Sequence, residues 1–342
     1  MDRNFFDLFY KKRLLINVLI ELTNVCNMRC VHCYQADRSN SSENIEFLQY
    51  SAIEKMLHEL EGSSVINITL TGGEIFTHPD IEKIILAIKK RNFNVNLLTN
   101  CTLINEENIS LIKHNVNHIS ASCYGKSAES YECVTRVKGS FEKYNNAINL
   151  LKKYNVRYNE KAVVLKNNYS NIDNLINQTT SADCRLIVDR NNPYCSNLSL
   201  NEIQLKEFLH SYYLTNNREL QMFNHRKAPL VCKMWYNSLF ISRFGEISPC
   251  LNLYDKNFIF GNIHIDNILD VWNSKASIEK VQDLSNKIKN SSCFSCEYGK
   301  YEQICPANNF YETGNIMTPS KFECDYCRAK NEVISSMIKR SK

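Results

Sequence analysis

The sequence predicts an α/β protein: a partial (β/α)6 TIM-like barrel followed by a small cysteine-rich C-terminal domain. Three observations carry this expectation. Between residues 14 and 190, apolar runs of strand length alternate with helically spaced segments, the pattern that packs as a parallel sheet with right-handed crossovers. Six strands are counted in that stretch, two short of a closed eightfold barrel. Past residue 225 the alternation gives way to closely spaced cysteines. A chain of 342 residues is long enough for one large domain with an appendix, and we divide it into residues 1–225 and 226–342.

The elements follow in order. Residues 14–22 form a near-continuous apolar run, as a strand buried on both faces does. Residues 51–60 carry Ile53, Met56, Leu57 and Leu60 at helical spacing, and 65–70 are β-branched and strand-like. A helix over 81–90, a strand over 95–98, a helix over 106–112 and a strand over 118–122 continue the alternation. Helix 141–154, strand 162–165, helix 172–176 and strand 186–188 complete the barrel, and 201–218 is a connecting helix. In the tail, 238–241 and 246–248 flank a turn at Gly245 as a hairpin. Gly261 and Asn262 mark a further turn, 268–272 and 276–288 are helical, and the remainder reads as cysteine-bearing loops.

Hydrophobic residues at 44% and charged residues at 23% fit a globular chain rather than a disordered one. The formal net charge of +5 is mild. Basic clusters are short and terminal, and no interleaving of basic and aromatic residues points to nucleic acid. No run approaches the roughly 18 apolar residues of a membrane span. Residues 11–20 imitate an export signal, but Asn17, Glu21 and Asn24 interrupt the apolar run, and Val25 stands where a small residue would precede a cleaved cysteine. The chain is therefore expected in the cytoplasm, where thiols stay reduced and clustered cysteines serve as metal ligands rather than disulfides. Its 15 cysteines are also an odd number, so complete pairing is impossible.

Three cysteines crowd directly after the first strand: Cys26, Cys30 and Cys33. A parallel barrel places its chemistry at the C-terminal ends of its strands, so this group stands where an active site is expected. Three thiolates leave a fourth coordination position open, as a catalytic centre requires and a structural zinc site does not. Soft thiolate ligands favour zinc or an iron–sulfur cluster. One β/α unit later comes Thr71-Gly72-Gly73-Glu74. Its glycines permit close approach to the backbone, and its carboxylate can hold an ammonium group.

These two motifs, CNMRCVHC at 26–33 and TGGE at 71–74, resemble those of the radical S-adenosylmethionine (SAM) superfamily over residues 14–190. The resemblance implies a [4Fe–4S] cluster on Cys26, Cys30 and Cys33, with SAM chelating the open iron through its amino and carboxylate groups. One-electron cleavage of the sulfonium would release a 5′-deoxyadenosyl radical. It further implies that Gly72, Gly73 and Glu74 contact the SAM amino group and that the backbone at His32 lies near the adenine. Ser122 would approach the ribose or carboxylate, and Arg136 would bind the carboxylate. One position departs: relatives usually carry glycine after Thr99-Asn100, where this chain has Cys101. The bulkier side chain is expected either to perturb the floor of the site or to be tolerated there.

Seven more cysteines fall in the last third: Cys232, Cys250, Cys293, Cys296, Cys305, Cys324 and Cys327. On spacing alone, Cys293-x2-Cys296 with Cys324-x2-Cys327 reads as a zinc ribbon with a long gap. The surrounding framework includes Gly245-x4-Cys250 and the segment from Gly261-Asn262-Ile263 through Leu269-x2-Trp272. It resembles the SPASM extension of peptide-modifying radical SAM enzymes over residues 232–327, which implies two auxiliary [4Fe–4S] clusters. Two closed clusters need eight thiolates and seven are present, because Asn309 stands where a cysteine usually follows Cys305. One auxiliary cluster is thus expected to have an open iron. The remaining Cys101, Cys123, Cys133, Cys184 and Cys195 are read as small buried hydrophobes.

The resemblance implies a radical SAM peptide maturase that abstracts hydrogen from a residue of a ribosomally made precursor peptide. The outcome would be a thioether or carbon–carbon cross-link or a related oxidation. A flavodoxin or ferredoxin is the expected electron donor. Cys26 comes too early for an N-terminal leader-binding domain, so leader recognition is assigned to a separate leader-binding protein or to the barrel. The alternatives are an anaerobic sulfatase-type maturase and a radical SAM oxidoreductase on a tetrapyrrole or quinone-cofactor pathway. Outside catalysis, the alternative is a zinc-binding interaction protein.

Overall fold

Apolar residues at alternating positions build the central sheet. In the computed structural model, β1 (Asn17–Glu21), β2 (Asn67–Thr71), β3 (Asn94–Thr99) and β4 (His118–Cys123) lie side by side and parallel. Val18 stands opposite Ile68, Ile68 opposite Val95, and Leu97 opposite Ile119. These residues are completely buried, each contributing about 1.5–3 kcal/mol of hydrophobic stabilisation. The connecting helices are α1 (Tyr50–Glu59), α2 (Ile81–Lys90), α3 (Ile109–Asn115), α4 (Ala128–Thr135) and α5 (Ser140–Lys153). On α1, Ile53, Met56 and Leu57 are buried, and on α2 Ile84, Ile85 and Ile88, the stripe that seats a helix on a sheet. β5 (Tyr158–Val163) follows β4 in the order.

The structure describes residues 12–33, 45–169, 184–185, 198–215, 230–232, 234–301 and 303–340. The expected helix over 172–176, the strand over 186–188, Cys195 and the boundary near residue 225 lie outside them. The chain divides into two units, one of residues Met1–Cys123, Thr135–Lys161 and Lys233–Val281, the other of Tyr124–Val134, Ala162–Cys232 and Gln282–Lys342.

In the first unit, the far side of β1 is occupied by β8 (Ser238–Ile241), parallel to it, with Val18 opposite Leu239. Antiparallel β9 (Glu246–Ser248) and β10 (Gly261–Asn262) follow outward. The expected hairpin is present. Gly261-Asn262, expected as a turn, is instead an edge strand, flanked by Phe260 N donating to Ile247 O (2.8 Å) and Ile263 N to Gly245 O (2.8 Å). A Gly-Asn dipeptide is a turn signal only locally, and the neighbouring β9 overrides it. Helix α7 (Ile268–Asn273) closes this edge. Its Trp272 donates from Nε1 to Arg13 O (3.0 Å), with the Arg13 guanidinium 4.1 Å above the ring.

An ion triad built on a buried Arg243–Glu21 pair ties the hairpin to β1. Arg243, in the β8–β9 turn, donates from Nη1 to Glu21 Oε2 (3.1 Å) and from Nε to Glu46 Oε2 (2.6 Å). The Arg243 and Glu21 side chains are each 2% exposed, so removing one partner strands a charge without water. We expect Arg243→Ala to lower unfolding free energy by about 3–5 kcal/mol, measured by urea titration. A loss within the error of a surface substitution would show that the triad carries no net stability.

In the second unit, β6 (Cys184–Arg185) pairs parallel with the end of β5, Ala162 opposite Cys184. Helix α6 (Glu202–Thr215) packs against α10 (Lys321–Arg340), with Lys206 Nζ between Glu202 (2.6 Å) and Glu332 (2.5 Å). β7 (Leu230–Val231) and β11 (Gln303–Ile304) form a short parallel pair, and α9 (Pro306–Thr313) and the part of α8 (Lys275–Lys289) from Gln282 onward complete the tail, the start of α8 belonging to the first unit. The tail is therefore not mainly cysteine loops. Pro306 opens α9 and Gly314, at φ +73°, follows its end, both regular helix-boundary signals. In α10, Cys324 and Cys327 occupy helix positions that a ligand-spacing reading treats as loop. Among the described residues, no helix is long and apolar enough to cross a membrane.

Candidate active site

The chain leaving β1 is stitched to the chain leaving β2. Leu22 N donates to Thr71 O (2.8 Å), Gly73 N to Thr23 O (2.7 Å) and Glu74 N to Val25 O (2.8 Å). This zipper extends the β1–β2 pairing into the loop that carries Cys26, Cys30 and Cys33. It also explains both glycines. A Cβ on Gly72 would meet Thr23 O at 2.7 Å, and one on Gly73 would meet Val25 O at 2.3 Å and Asn24 O at 2.7 Å. The two glycines thus admit the cysteine loop's own backbone.

Glu74 is 1% exposed. Its Oε1 accepts from Thr99 Oγ1 (2.7 Å) and Phe76 N (3.3 Å), and its Oε2 from Asn100 N (2.8 Å). Burial pushes its carboxyl up from the ordinary range, and these donors partly offset the shift. The side chain is a strut between the ends of β2 and β3. The β3 end in turn reaches the cysteine loop: Asn100 Nδ2 donates to Asn27 Oδ1 (2.9 Å) and lies 3.9 Å from Cys26 Sγ, while Asn27 Nδ2 donates to Thr102 Oγ1 (2.8 Å).

Cys101, the departure from glycine, has φ +65°, a left-handed backbone that costs an L-residue about 1–2 kcal/mol. Its side chain is fully buried, and the polar face of this turn is presented by Asn100. The chain tolerates the larger residue by turning it inward. Cys123 is buried as expected, whereas Cys133 is half-buried. The Cys184 side chain lies outside the described residues.

Cys26, Cys30 and Cys33 are all half-buried and none is in a disulfide. Met28 N donates to Cys26 Sγ (3.4 Å), and Cys33 N to Cys30 O (3.0 Å). Burial chiefly, with Glu74 and Cys33 nearby, pushes the Cys26 thiol up to about 12. Without a cationic partner it stays protonated at neutral pH, and a bound metal reverses that balance. The donor set fits a thiolate-ligated cluster: three thiols on one loop, with backbone and amide donors facing a sulfur.

Burial pushes the His32 imidazole down to about 4, leaving the ring neutral at pH 7. Ser122, at the C-terminal end of β4, lies two residues from Ser120, hence on the same face, and Ser120 Oγ donates to Asn159 Oδ1 (3.1 Å). Arg136 is exposed with φ +55°. The preceding Thr135 O accepts from Arg29 N (3.0 Å), which sets Arg136 beside the cysteine loop in a strained conformation of the kind that collects at functional sites.

The auxiliary cysteines fall into both units. Cys250 belongs to the unit of the parallel sheet. In the other unit, Cys293, Cys296, Cys305, Cys324 and Cys327 line one cavity. Burial, together with neighbouring thiols, pushes Cys293 and Cys324 up from the ordinary thiol range. Asn309 also borders the cavity, but its amide is engaged by Ile316 O and Ser320 N, each at 3.0 Å. Among the described residues, no three His, Cys, Asp or Glu side chains converge as tightly as ligands of a single ion do; a cubane presents separate iron corners to separate thiolates. The zipper, the Glu74 strut and the Asn100 amide were beyond sequence reasoning, since nothing in the residue pattern signals contacts between segments so far apart in sequence.

Residues 20–178 match the Radical SAM superfamily, and residues 232–297 match SPASM, an iron–sulfur cluster-binding domain. The chain is 26% identical over 272 residues to the antilisterial bacteriocin subtilosin biosynthesis protein AlbA of Bacillus subtilis (strain 168), covering 76% of this chain. It spans 60% of the length of that relative. It is 24% identical over 342 residues to the AdoMet-dependent heme synthase of Methanosarcina barkeri (strain Fusaro / DSM 804), covering 90% of this chain and 95% of that protein. The fold is shared with native anSMEcpe with bound AdoMet and Cp18Cys peptide, at a TM-score of 0.71 and 18% identity over 95% of this chain and 97% of the other. With its three-cysteine loop zipped to the TGGE turn and its cysteine-rich tail, the chain carries a radical SAM domain and a SPASM domain.

Proposed function

We propose that the protein modifies a ribosomally made precursor peptide, abstracting hydrogen from one of its residues to form a thioether or carbon–carbon cross-link or a related oxidised product. Cys26, Cys30 and Cys33 hold the [4Fe–4S] cluster and leave one iron for SAM. When bound, the pair supplies one-electron cleavage of the sulfonium to a 5′-deoxyadenosyl radical. Gly72 and Gly73 fix the cysteine loop against β2, with their backbone available to the SAM amino group. Glu74 acts as the strut that holds Asn100 toward Cys26. Arg136 supplies a cation for the SAM carboxylate, Ser122 a hydroxyl near the ribose or carboxylate, and His32 backbone near the adenine. Cysteines of the tail hold the auxiliary clusters, which would accept the second electron of this two-electron oxidation as the second proton is released. A flavodoxin or ferredoxin delivers the electron in the cytoplasm.

The observation that carries this reading is the pairing, in one chain, of an open three-thiol loop with a thiol-lined tail. Similarity to a bacteriocin biosynthesis protein supports a peptide substrate. The end-to-end match with a heme synthase favours a second reading, a tetrapyrrole substrate. The test incubates the reduced holoprotein and SAM with candidate precursor peptides or with a propionate-bearing tetrapyrrole. We expect 5′-deoxyadenosine and a peptide lighter by two hydrogens. Product from the tetrapyrrole, with none from any peptide, would replace the first reading with the second.

A further inference from the structure

The side chains of Asn27, Asn100 and Thr102 close a ring between the cysteine loop and the loop that follows β3. Asn100 Nδ2 donates to Asn27 Oδ1 (2.9 Å), Asn27 Nδ2 to Thr102 Oγ1 (2.8 Å), and Thr102 Oγ1 to Asn100 Oδ1 (2.7 Å). Thr102 N adds a second donor to the same Oδ1 (2.9 Å). The direction of every bond in the ring is thereby fixed, and the bonds of a closed set strengthen one another.

The ring determines which way the Asn100 carboxamide faces. Its oxygen is held by two donors of Thr102. A flipped amide would set that oxygen against Asn27 Oδ1 and turn its N–H groups on the Thr102 N–H. The nitrogen carries two hydrogens. One goes to Asn27, and the other is directed at Cys26 Sγ, 3.9 Å from Nδ2. The backbone is pinned as well: Asn100 N donates to Glu74 Oε2 (2.8 Å), and Cys101 N to Thr99 Oγ1 (2.9 Å). Asn100 and Thr102 are each 7% exposed, so little water competes with the sulfur for the amide.

We propose that Asn100 sets the reduction potential of the cluster held by Cys26, donating its second amide hydrogen to the ligating thiolate. Reduction adds negative charge that spreads onto the cysteine sulfurs, so an N–H facing one of them favours the reduced form and raises the potential. Asn100 acts through Cys26 and is in this respect a positioning residue, of the kind that orients and tunes a metal ligand from behind. The ring thus governs how readily the one electron needed for sulfonium cleavage enters from its donor. This inference rests on the reading of Cys26, Cys30 and Cys33 as cluster ligands and is independent of the substrate.

The test is a mediated dithionite titration of the anaerobically purified full-length protein without SAM, followed by electron paramagnetic resonance. The signal followed is the one whose shape SAM changes in a parallel sample. Asn100→Ala is expected to lower the equilibrium constant for one-electron reduction of that cluster about tenfold, a midpoint lower by about 59 mV, with iron content unchanged. The near-isosteric Asn100→Asp turns an acceptor toward the sulfur and is expected to shift the midpoint in the same direction at least as far. Thr102→Val opens the ring without removing the amide, and a smaller shift is expected. Cys101→Gly changes the same loop but no side chain of the ring, and is expected to keep the original midpoint. Should Asn100→Ala lose iron, Asn100→Asp and Thr102→Val retain the packing of the site and carry the comparison. A midpoint unmoved in every cluster-loaded Asn100 variant, or an equal shift in Cys101→Gly, overturns the inference. Absence of a SAM-sensitive signal from the unsubstituted chain overturns the cluster reading beneath it, whereas failure to modify a peptide touches neither.

Discussion

Cys30→Ala in the full chain is expected to eliminate formation of 5′-deoxyadenosine from SAM and to lower the iron content by about four atoms per chain. The thiol sits on a loop whose backbone is fixed from both sides, by the zipper to Gly73 and Glu74 and by the Arg29–Thr135 contact. Of the other described cysteines of this unit, Cys101 and Cys123 are fully buried, so neither can swing out to take the vacant corner, and Cys250 is a proposed ligand of the tail. The loss therefore falls on the cluster rather than on the fold. Far-ultraviolet circular dichroism and the urea midpoint are expected to stay near those of the unsubstituted protein. Cys123→Ala is the matched control: it opens a small core cavity, lowers stability by about 1 kcal/mol and leaves iron content unchanged. Turnover of SAM by Cys30→Ala would remove Cys30 from the ligand set.

Local patterns made much of the barrel legible. Helix α2 occupies the residues its isoleucine spacing predicts, because a strongly amphipathic segment seated on a sheet has one stable orientation. The strands at β2, β3 and β4 lie within about a residue or two of their apolar runs, and the cysteine loop stands at the end of β1 as strand–helix grammar requires. What the sequence does not display is which distant segment completes each element. β8 is separated from β1 by more than two hundred residues yet lies directly beside it, and Arg243 reads as an ordinary turn cation until Glu21 and Glu46 are found around it. Glu74 offers a sharper case. A carboxylate after two glycines suggests a ligand for an ammonium group, but three donors of the chain already point at it. Helix α10 was obscured differently, because its cysteines were read for their spacing as ligands rather than for the helix face they share.

Gly73→Ala is expected to lower the rate of SAM cleavage by about a hundredfold or more while leaving a folded protein. Gly73 is not among the left-handed glycines, so alanine meets no dihedral penalty there; the cost is contact alone. The added methyl would fall 2.3 Å from Val25 O and 2.7 Å from Asn24 O, both backbone atoms with no rotamer to relieve them. Overpacking of this kind costs about 1–3 kcal/mol, less than the stability of a typical domain. The loop must yield instead, and the residue that follows Val25 is Cys26. A displacement of about 1 Å at reacting groups is enough for a hundredfold loss. Gly62→Ala separates this from simple destabilisation. Gly62 has φ +72° and nothing within 4 Å of an added Cβ, so alanine there costs about 1–2 kcal/mol of backbone strain at a turn far from the cysteine loop in sequence. The two variants should melt similarly, but only Gly73→Ala should lose SAM cleavage and show an altered spectrum of the reduced cluster. Equal activity in both would mean that the zipper between Thr23–Val25 and Gly73–Glu74 does not position the thiols.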